Sequence, residues 1–305
     1  MHAVISHYSA FKFLDMCARL IPPPEYRFHL HEFAGEKFLE LADSKADLSR
    51  FSFERLCWEN HPVDILVPSR AQLRYIKGFK HHSACGRFTD APFIDAGGGV
   101  LVCSAPLLFV QLCRGKTLEQ CIKIGSNICG LYSLEPSSPD GIVGRNQLAT
   151  KEELSTFVKA HPRLRGSRNA AAALPWILER ARSPKETELA MAFYLPKRLG
   201  GFGFAPPVMN APVEIDGEAR EISDDYSNEI DVYWPDQKIG FEYNSYSRHG
   251  DARKFGLDRR RALALRSMDI IVEFVTNEQL GDPHQLAVLA HILEERGVPL
   301  VGPSR

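Results

Sequence analysis

The chain has 305 residues, of which 44% are hydrophobic and 25% charged, and its formal net charge is −1 at pH 7. This composition is typical of a globular protein long enough for two domains, and it excludes disordered, collagen-like and coiled-coil classes. No stretch approaches the roughly 18 uninterrupted apolar residues of a membrane span, and the near-zero charge favours neither nucleic acid nor membrane as a partner through bulk electrostatics.

The cysteines indicate a reducing compartment. There are seven, an odd number, scattered through the first half without a Cys-x-x-Cys pair. A disulfide framework or a zinc ribbon is therefore not expected. The N-terminal residues also lack the basic segment and cleavage site of a secretory signal. We expect a cytoplasmic location, with the cysteines at 103, 113, 121 and 129 packed in the core.

The first half, residues 1–181, is predicted to be a mixed α+β domain. Its 22 Lys and Arg against 18 Asp and Glu give it a charge of +4. Hydrophobic periodicity, capping residues and prolines predict its elements in chain order. These are a helix over 9–20, a strand over 63–68, a strand after the glycines at 97–99, helices from about 106 and from 117, a loop over 141–146, and helices over 150–161 and 169–181, the last interrupted by Pro175.

The second half, residues 182–305, has 15 Lys and Arg against 20 Asp and Glu, a charge of −5. Ser183-Pro184-Lys185-Glu186 predicts a helix start with a capping box. The later elements are strands or a loose hairpin over 213–222, strands over 228–235 and 238–245, a basic helix over 251–267, a buried parallel strand over 269–275 and a last helix from 282. Together the two halves predict an α/β protein whose second domain is a mixed sheet flanked by helices.

Two carboxylates are expected to face each other across a hairpin. Asp231 lies late in one strand, the turn falls at 235–236, and Glu242 lies at the end of the returning strand. Residues paired across an antiparallel hairpin share a face, so both carboxylates are candidate ligands for Mg²⁺ or Mn²⁺. Glu186 either supplies a third carboxylate or serves only in the capping box. The alternative for Asp231 and Glu242 is that each is solvated or forms an ion pair with arginine.

Basic residues follow directly after these carboxylates. Residues 248–266 carry seven basic and two acidic side chains within an acidic domain. The candidates for contact with DNA phosphate are Arg248, Arg253, Lys254, Arg260 and Arg261. Spacings of seven place Arg253 with Arg260, and Lys254 with Arg261, on shared faces of a helix. The helix is predicted either to bind phosphate or to be a solvated charged surface in which Asp258 holds an arginine.

Other motifs give weaker signals. His81, His82 and Cys85 offer metal ligands close together, but no second pair occurs at zinc spacing, so a structural role is expected there. No Gly-x-Ser-x-Gly motif of a hydrolase occurs.

The second half resembles the PD-(D/E)XK nuclease fold, and within it the branch related to very-short-patch-repair endonucleases. The resemblance covers about residues 183–280. The motifs that carry it are Ser183-Pro184-Lys185-Glu186, Asp231-Val232-Tyr233-Trp234-Pro235, Glu242-Tyr243-Asn244-Ser245 with His249, Asp258-Arg259-Arg260-Arg261, and a strand that leads to Thr276.

The resemblance implies a metal-dependent DNA endonuclease or nicking enzyme acting in phage defence or repair. Asp231 and Glu242 would bind Mg²⁺ or Mn²⁺, with Glu186 assisting. His249 would act as general base or acid, a role that suits the pKa of histidine. Asn244 would belong to the catalytic set, at a position where similar proteins have Asp and the wider superfamily has Lys. A neutral amide supplies neither charge, so the alternative is a catalytically silent DNA- or protein-binding module that acts as an antitoxin or regulator.

The first half resembles the region that follows the winged helix in abortive-infection antitoxins of type IV toxin–antitoxin systems. Val100-Leu101-Val102-Cys103-Ser104-Ala105-Pro106-Leu107 stands where those proteins have a strand and a Ser-Pro-Glu-Arg-like helix start. This resemblance implies a cognate toxin or another defence protein as a partner.

Overall fold

The structure is a computed structural model that describes residues 1–20, 41–42, 44–53, 61–83, 93–215, 217, 219–222, 227–244 and 252–301. The chain divides into two compact units, Met1–Ile177 and Leu178–Arg305. The sequence-based boundary lies slightly later, between residues 181 and 182. Helices and mixed sheets occur in both units, which confirms the predicted α/β class. Among the described residues, no helix is long and apolar enough to cross a membrane.

The first unit is built on a five-stranded sheet of order β3-β2-β1-β5-β4 and a two-stranded sheet of β6 and β7. Its strands are β1 (Ala3–Ile5), β2 (Val63–Val67), β3 (Phe79–Ser83), β4 (Phe93–Gly97), β5 (Val100–Cys103), β6 (Tyr132–Leu134) and β7 (Ile142–Gly144). Its helices are α1 (His7–Leu20), α2 (Lys45–Leu48), α3 (Ala105–Leu112), α4 (Leu118–Ile128), α5 (Lys151–Ala160) and α6 (Ser167–Ala173).

Two predictions for the first unit are corrected by the structure. Residues 141–146 are not all loop, because Ile142–Gly144 pairs with Tyr132–Leu134 as an antiparallel ribbon. The helix predicted over 169–181 ends early, in a single 3₁₀ turn at Leu174–Trp176. Pro175 lacks the N–H that a continuing α-helix needs, and α6 accordingly ends at Ala173, two residues before it.

The cysteines predicted to lie in the core do so. Cys103, Cys113, Cys121 and Cys129 are all buried, between α3, α4 and the end of β5. Burial raises the pKa of the Cys103 thiol to about 12 and that of Cys113 further still. The thiols of Cys103 and Cys113 therefore stay protonated and pack as small apolar groups.

The second unit is a four-stranded mixed sheet of order β11-β10-β9-β8. Its strands are β8 (Val208–Glu214), β9 (Ser227–Trp234), β10 (Ile239–Asn244) and β11 (Ile271–Thr276). Its helices are α7 (Pro184–Tyr194), α8 (Ala219–Ile222), α9 (Ala252–Ser267), α10 (Asn277–Leu280) and α11 (Pro283–Glu295). The first three strands are antiparallel, and β11 returns parallel to β10 after the crossover helix α9.

Aromatic packing, and a close contact between the two strands at Gly240, stabilise the hairpin of β9 and β10. The ring of Phe193 on α7 lies 4.7 Å from that of Phe241 and meets Trp234 edge to face. On β10, a Cβ added to Gly240 would lie 2.5 Å from Cγ2 of Ile230. Only glycine therefore allows the strands to pack this closely at that point.

Two predictions for this unit differ from the structure. Residues 219–222 were expected to be strand or hairpin but form the short helix α8. β11 is parallel as predicted, yet it is only half-buried, and Phe274 is 37% exposed. The reason is its place at the edge of the sheet, where one side lacks a covering strand.

Candidate functional site

The two strand carboxylates lie side by side at the end of the β9–β10 hairpin. The antiparallel register runs to the pair Phe241 and Val232, and continuing it by one residue places Glu242 opposite Asp231. At this point the backbone N–H of Tyr243 donates to Oδ2 of Asp231 at 2.9 Å. The hairpin therefore brings the two predicted metal ligands onto one face of the sheet.

Glu186 reaches the same region from the first turn of α7. The Ser183 hydroxyl accepts a hydrogen bond from the Glu186 backbone N–H at 3.1 Å, as a capping residue does. The Glu186 carboxylate does not complete the predicted box. Its Oε2 accepts instead from the backbone N–H of Arg182 at 2.9 Å and from Nδ2 of Asn210 at 2.7 Å. Glu186 is only 6% exposed, and these two hydrogen bonds tie its carboxylate to the start of α7 and to β8.

Asn210 is a site residue that the sequence analysis missed. It lies within β8, where the register on either side places it opposite Asp231, and its φ of 46° is in the left-handed region. Its buried amide also donates to the carbonyl of Arg180 at 3.0 Å. Asparagine tolerates this conformation better than most residues. The polar Asn210 between the apolar Met209 and Ala211 was the available signal.

The carboxylates perturb one another. The pKa of Asp231 is raised to about 7, first by burial and then by the negative charges of Glu186 and Glu242, against the opposing effects of the Tyr243 N–H and Arg261. Burial likewise raises the pKa of Glu186, although the N–H of Arg182 and the Asn210 amide oppose it. A group of acids with pKa values pushed upward binds a proton or a cation readily near neutral pH.

Arg261 supplies a cation to this group from α9. Its Nη2 lies 2.6 Å from Oε1 of Glu242 and its Nη1 lies 3.3 Å from Oε2, a two-point ion pair with a carboxylate that is 9% exposed. Nη2 also donates to the backbone carbonyl of Glu229. Arg261, predicted to contact phosphate, thus lies against the carboxylates instead. Sequence spacing placed it on the helix but could not give the direction of the side chain.

The remaining predicted residues are placed only in part. Asn244 is half-buried at the end of β10, beside Thr276 of β11. Arg260 is exposed on α9. Four predicted residues have side chains outside the described part of the chain, namely Arg248, His249, Arg253 and Lys254. For Arg253 and Lys254 the backbone is described, and it lies within α9 as expected.

The donor chemistry of the site fits a divalent cation. Carboxylate oxygens are the ligands that Mg²⁺ and Mn²⁺ prefer, and the raised pKa of Asp231 shows that burial and the charges of Glu186 and Glu242 disfavour its negative charge. In the arrangement described, Arg261 neutralises part of this charge by holding both oxygens of Glu242. Within the described ranges, no group of three or more His, Cys, Asp or Glu side chains is arranged to hold a metal ion.

Comparisons of the chain with models of protein families, with curated proteins and with solved structures found no match.

Proposed function

We propose that the second unit is a metal-dependent nuclease domain that hydrolyses phosphodiester bonds in DNA. The observation that carries this proposal is the convergence of Glu186, Asp231 and Glu242 at one end of a hairpin, with the pKa of Asp231 raised to about 7. Asp231 lies close enough to Glu186 and Glu242 for their negative charges to raise its pKa, and a bound cation would relieve this repulsion. A site in which several carboxylates lie close together is suited to a divalent metal ion and to the phosphate that such an ion binds.

The residues take distinct roles in the proposal. Asp231 and Glu242 hold the ion, and Glu186 positions the site through its hydrogen bond with Asn210. When bound, Mg²⁺ or Mn²⁺ would neutralise charge on a phosphodiester and lower the pKa of a water molecule. Arg260, which is exposed on α9, would contact phosphate. The resemblance to PD-(D/E)XK nucleases adds His249 as general base or acid.

The topology of the second unit supports this proposal. Helix α7, three antiparallel strands, helix α9 and the parallel strand β11 follow in order and form a mixed sheet flanked by helices, as the resemblance implies. The carboxylates come from the two central strands and from the preceding helix. Rigid elements therefore support all three acidic groups, which favours a preorganised site.

A second function has its own support. The two-point ion pair of Arg261 with Glu242 and the neutral Asn244 both reduce the negative charge available to a metal ion. Both features favour a catalytically silent module that binds DNA or a protein partner, such as a cognate toxin, as an antitoxin or regulator.

A plasmid-nicking assay with Mg²⁺ or Mn²⁺ separates the two functions. We expect slow nicking by the wild type, faster nicking by Asn244→Asp, which adds a charged ligand, and a loss of about a hundredfold or more in Asp231→Asn. Asp236→Asn is the matched control, because Asp236 lies exposed at the other end of the same hairpin. If Asp231→Asn nicks as fast as Asp236→Asn, the nuclease proposal is wrong. DNA binding without nicking by either the wild type or Asn244→Asp favours the silent module.

A further inference from the structure

A small cleft belongs to the first unit and is not used by the proposed nuclease, whose carboxylates all belong to the second unit. Its cavity volume is about 40 Å³, enough for one small polyatomic group, and it opens to solvent. The polar and basic residues that line it are His7, His82, Ser83, Gln111, Arg114 and Arg165. His82 belongs to the histidine pair for which the sequence suggested only a structural role.

A buried aspartate, Asp64, contacts His82, which lines the cleft. Nε2 of His82 lies 2.7 Å from Oδ1 of Asp64, which is 5% exposed. Oδ2 of Asp64 accepts weaker hydrogen bonds from the N–H and hydroxyl of Ser9, at 3.3 and 3.4 Å. Burial alone would raise the pKa of Asp64, but the hydrogen bond and charge of His82 lower it overall. The contact with Asp64 therefore fixes the orientation of the His82 ring.

His7 stacks on this histidine in a strained conformation. The two rings are 3.6 Å apart and nearly parallel. His7 has a φ of 49°, at the junction of β1 and α1, and its backbone N–H donates to Oε1 of Gln111 at 3.2 Å. Strain of this kind persists only where surrounding contacts impose it, and it is concentrated at functional sites.

The surroundings of His7 are electropositive. Its pKa is lowered to about 3, first by burial and then by the positive charges of His82, Lys80 and Arg114, with Asp64 acting in the opposite direction. Arg114 and Arg165 are exposed, and within the described ranges neither guanidinium has an ion-pair partner. Asp64, by contrast, already contacts His82 and, at 4.0 Å, Lys80. The cleft thus has more positive charge than its own acid offsets.

We propose that this cleft binds the phosphate group of a small phosphorylated ligand. Two guanidinium groups beside imidazole and amide donors match the charge and the several acceptor oxygens of a phosphate dianion, better than the two oxygens of a carboxylate. A purely structural network accounts for Ser9, Asp64 and His82. It does not account for the strained His7, nor for two arginines gathered at the same opening.

Calorimetric titration of the full-length chain with inorganic phosphate tests the proposal. Arg114→Ala and Arg165→Ala should each weaken binding about tenfold or more, because each removes a charge-assisted hydrogen bond. Arg163→Ala is the matched control. Arg163 is exposed in the same segment but does not line the cleft, so its loss should change the affinity by less than about twofold.

The other outcomes are equally decisive. If phosphate binding survives both Arg114→Ala and Arg165→Ala, it belongs to another part of the chain, such as the second unit, and the proposal is overturned. An equal loss of phosphate affinity in Arg163→Ala would also overturn it. Acetate that binds as tightly as phosphate would overturn the choice of phosphate. A nucleoside monophosphate that binds more tightly than inorganic phosphate supports the proposal and identifies the carrier as a nucleotide. Equal binding supports it with recognition confined to the phosphate group.

Discussion

The ion pair between Arg261 and Glu242 offers the sharpest test of how the carboxylate cluster is stabilised. Arg261→Met keeps the apolar length of the side chain but removes the guanidinium from a carboxylate that is 9% exposed and lies beside Asp231. Removing one member of a buried pair costs about 3–5 kcal/mol. The Arg261 side chain is 26% exposed, so solvent offsets part of that cost. We expect a loss of about 2–3 kcal/mol from the unfolding free energy of the second unit.

Hydrogen exchange measures this loss in the full chain, where two units need not unfold together. Peptides that cover β9 and β10 should exchange roughly 30- to 150-fold faster in Arg261→Met than in the wild type, by the conversion of about 1.4 kcal/mol per tenfold change. Arg266→Met is the matched control, because Arg266 is exposed on the same helix, and it should exchange like the wild type.

A divalent cation should then restore the variant. Mn²⁺ at about a hundred times its dissociation constant stabilises a folded state by about 2.7 kcal/mol, close to the expected loss. Arg261→Met should also bind Mn²⁺ more tightly than the wild type, since the oxygens of Glu242 no longer contact a guanidinium. If Arg261→Met and Arg266→Met exchange at equal rates, the ion pair does not stabilise the cluster. If Mn²⁺ slows exchange in neither, the cluster does not bind the ion.

Three further predictions concern the second unit. The pKa of Asp231 is raised from 3.8 to about 7, so its contribution to stability is present at low pH and is lost as the pH rises through about 7. Asp231→Asn should therefore flatten the fall in thermal midpoint between pH 5 and pH 8. An unchanged slope would contradict the raised pKa. Gly240→Ala should cost about 1–3 kcal/mol by urea denaturation. Gly281→Ala in the same unit, where an added Cβ meets only ordinary contacts at 3.6 Å, should change little, and equal effects would argue against the close approach of the strands. Asn210→Ala removes a buried donor to Glu186 and should cost about 1–3 kcal/mol, while a neutral result would show that the amide is not needed there.

The hairpin was predictable because its signals are local. Alternation along β9 and β10 with a proline turn between them determines which residues are opposite one another, so the proximity of Asp231 and Glu242 follows from the sequence. The direction of Arg261 depends on how α9 is rotated against the sheet, which only tertiary packing determines. The polar side chain of Asn210 is the only sign of it in the sequence, because neither its left-handed conformation nor its contact with Glu186 follows from a local pattern.

The buried cysteines allow local opening of the first unit to be measured by chemical modification. All seven cysteines lie at or before position 129, so a thiol-alkylating reagent modifies the first unit and leaves the second untouched. Cys103 and Cys113 combine full burial with raised pKa values, so their alkylation must await a local opening of the helices around them. The rate of their slow alkylation, followed by mass spectrometry, would therefore give the opening equilibrium of one unit while the other unfolds or binds its ligand.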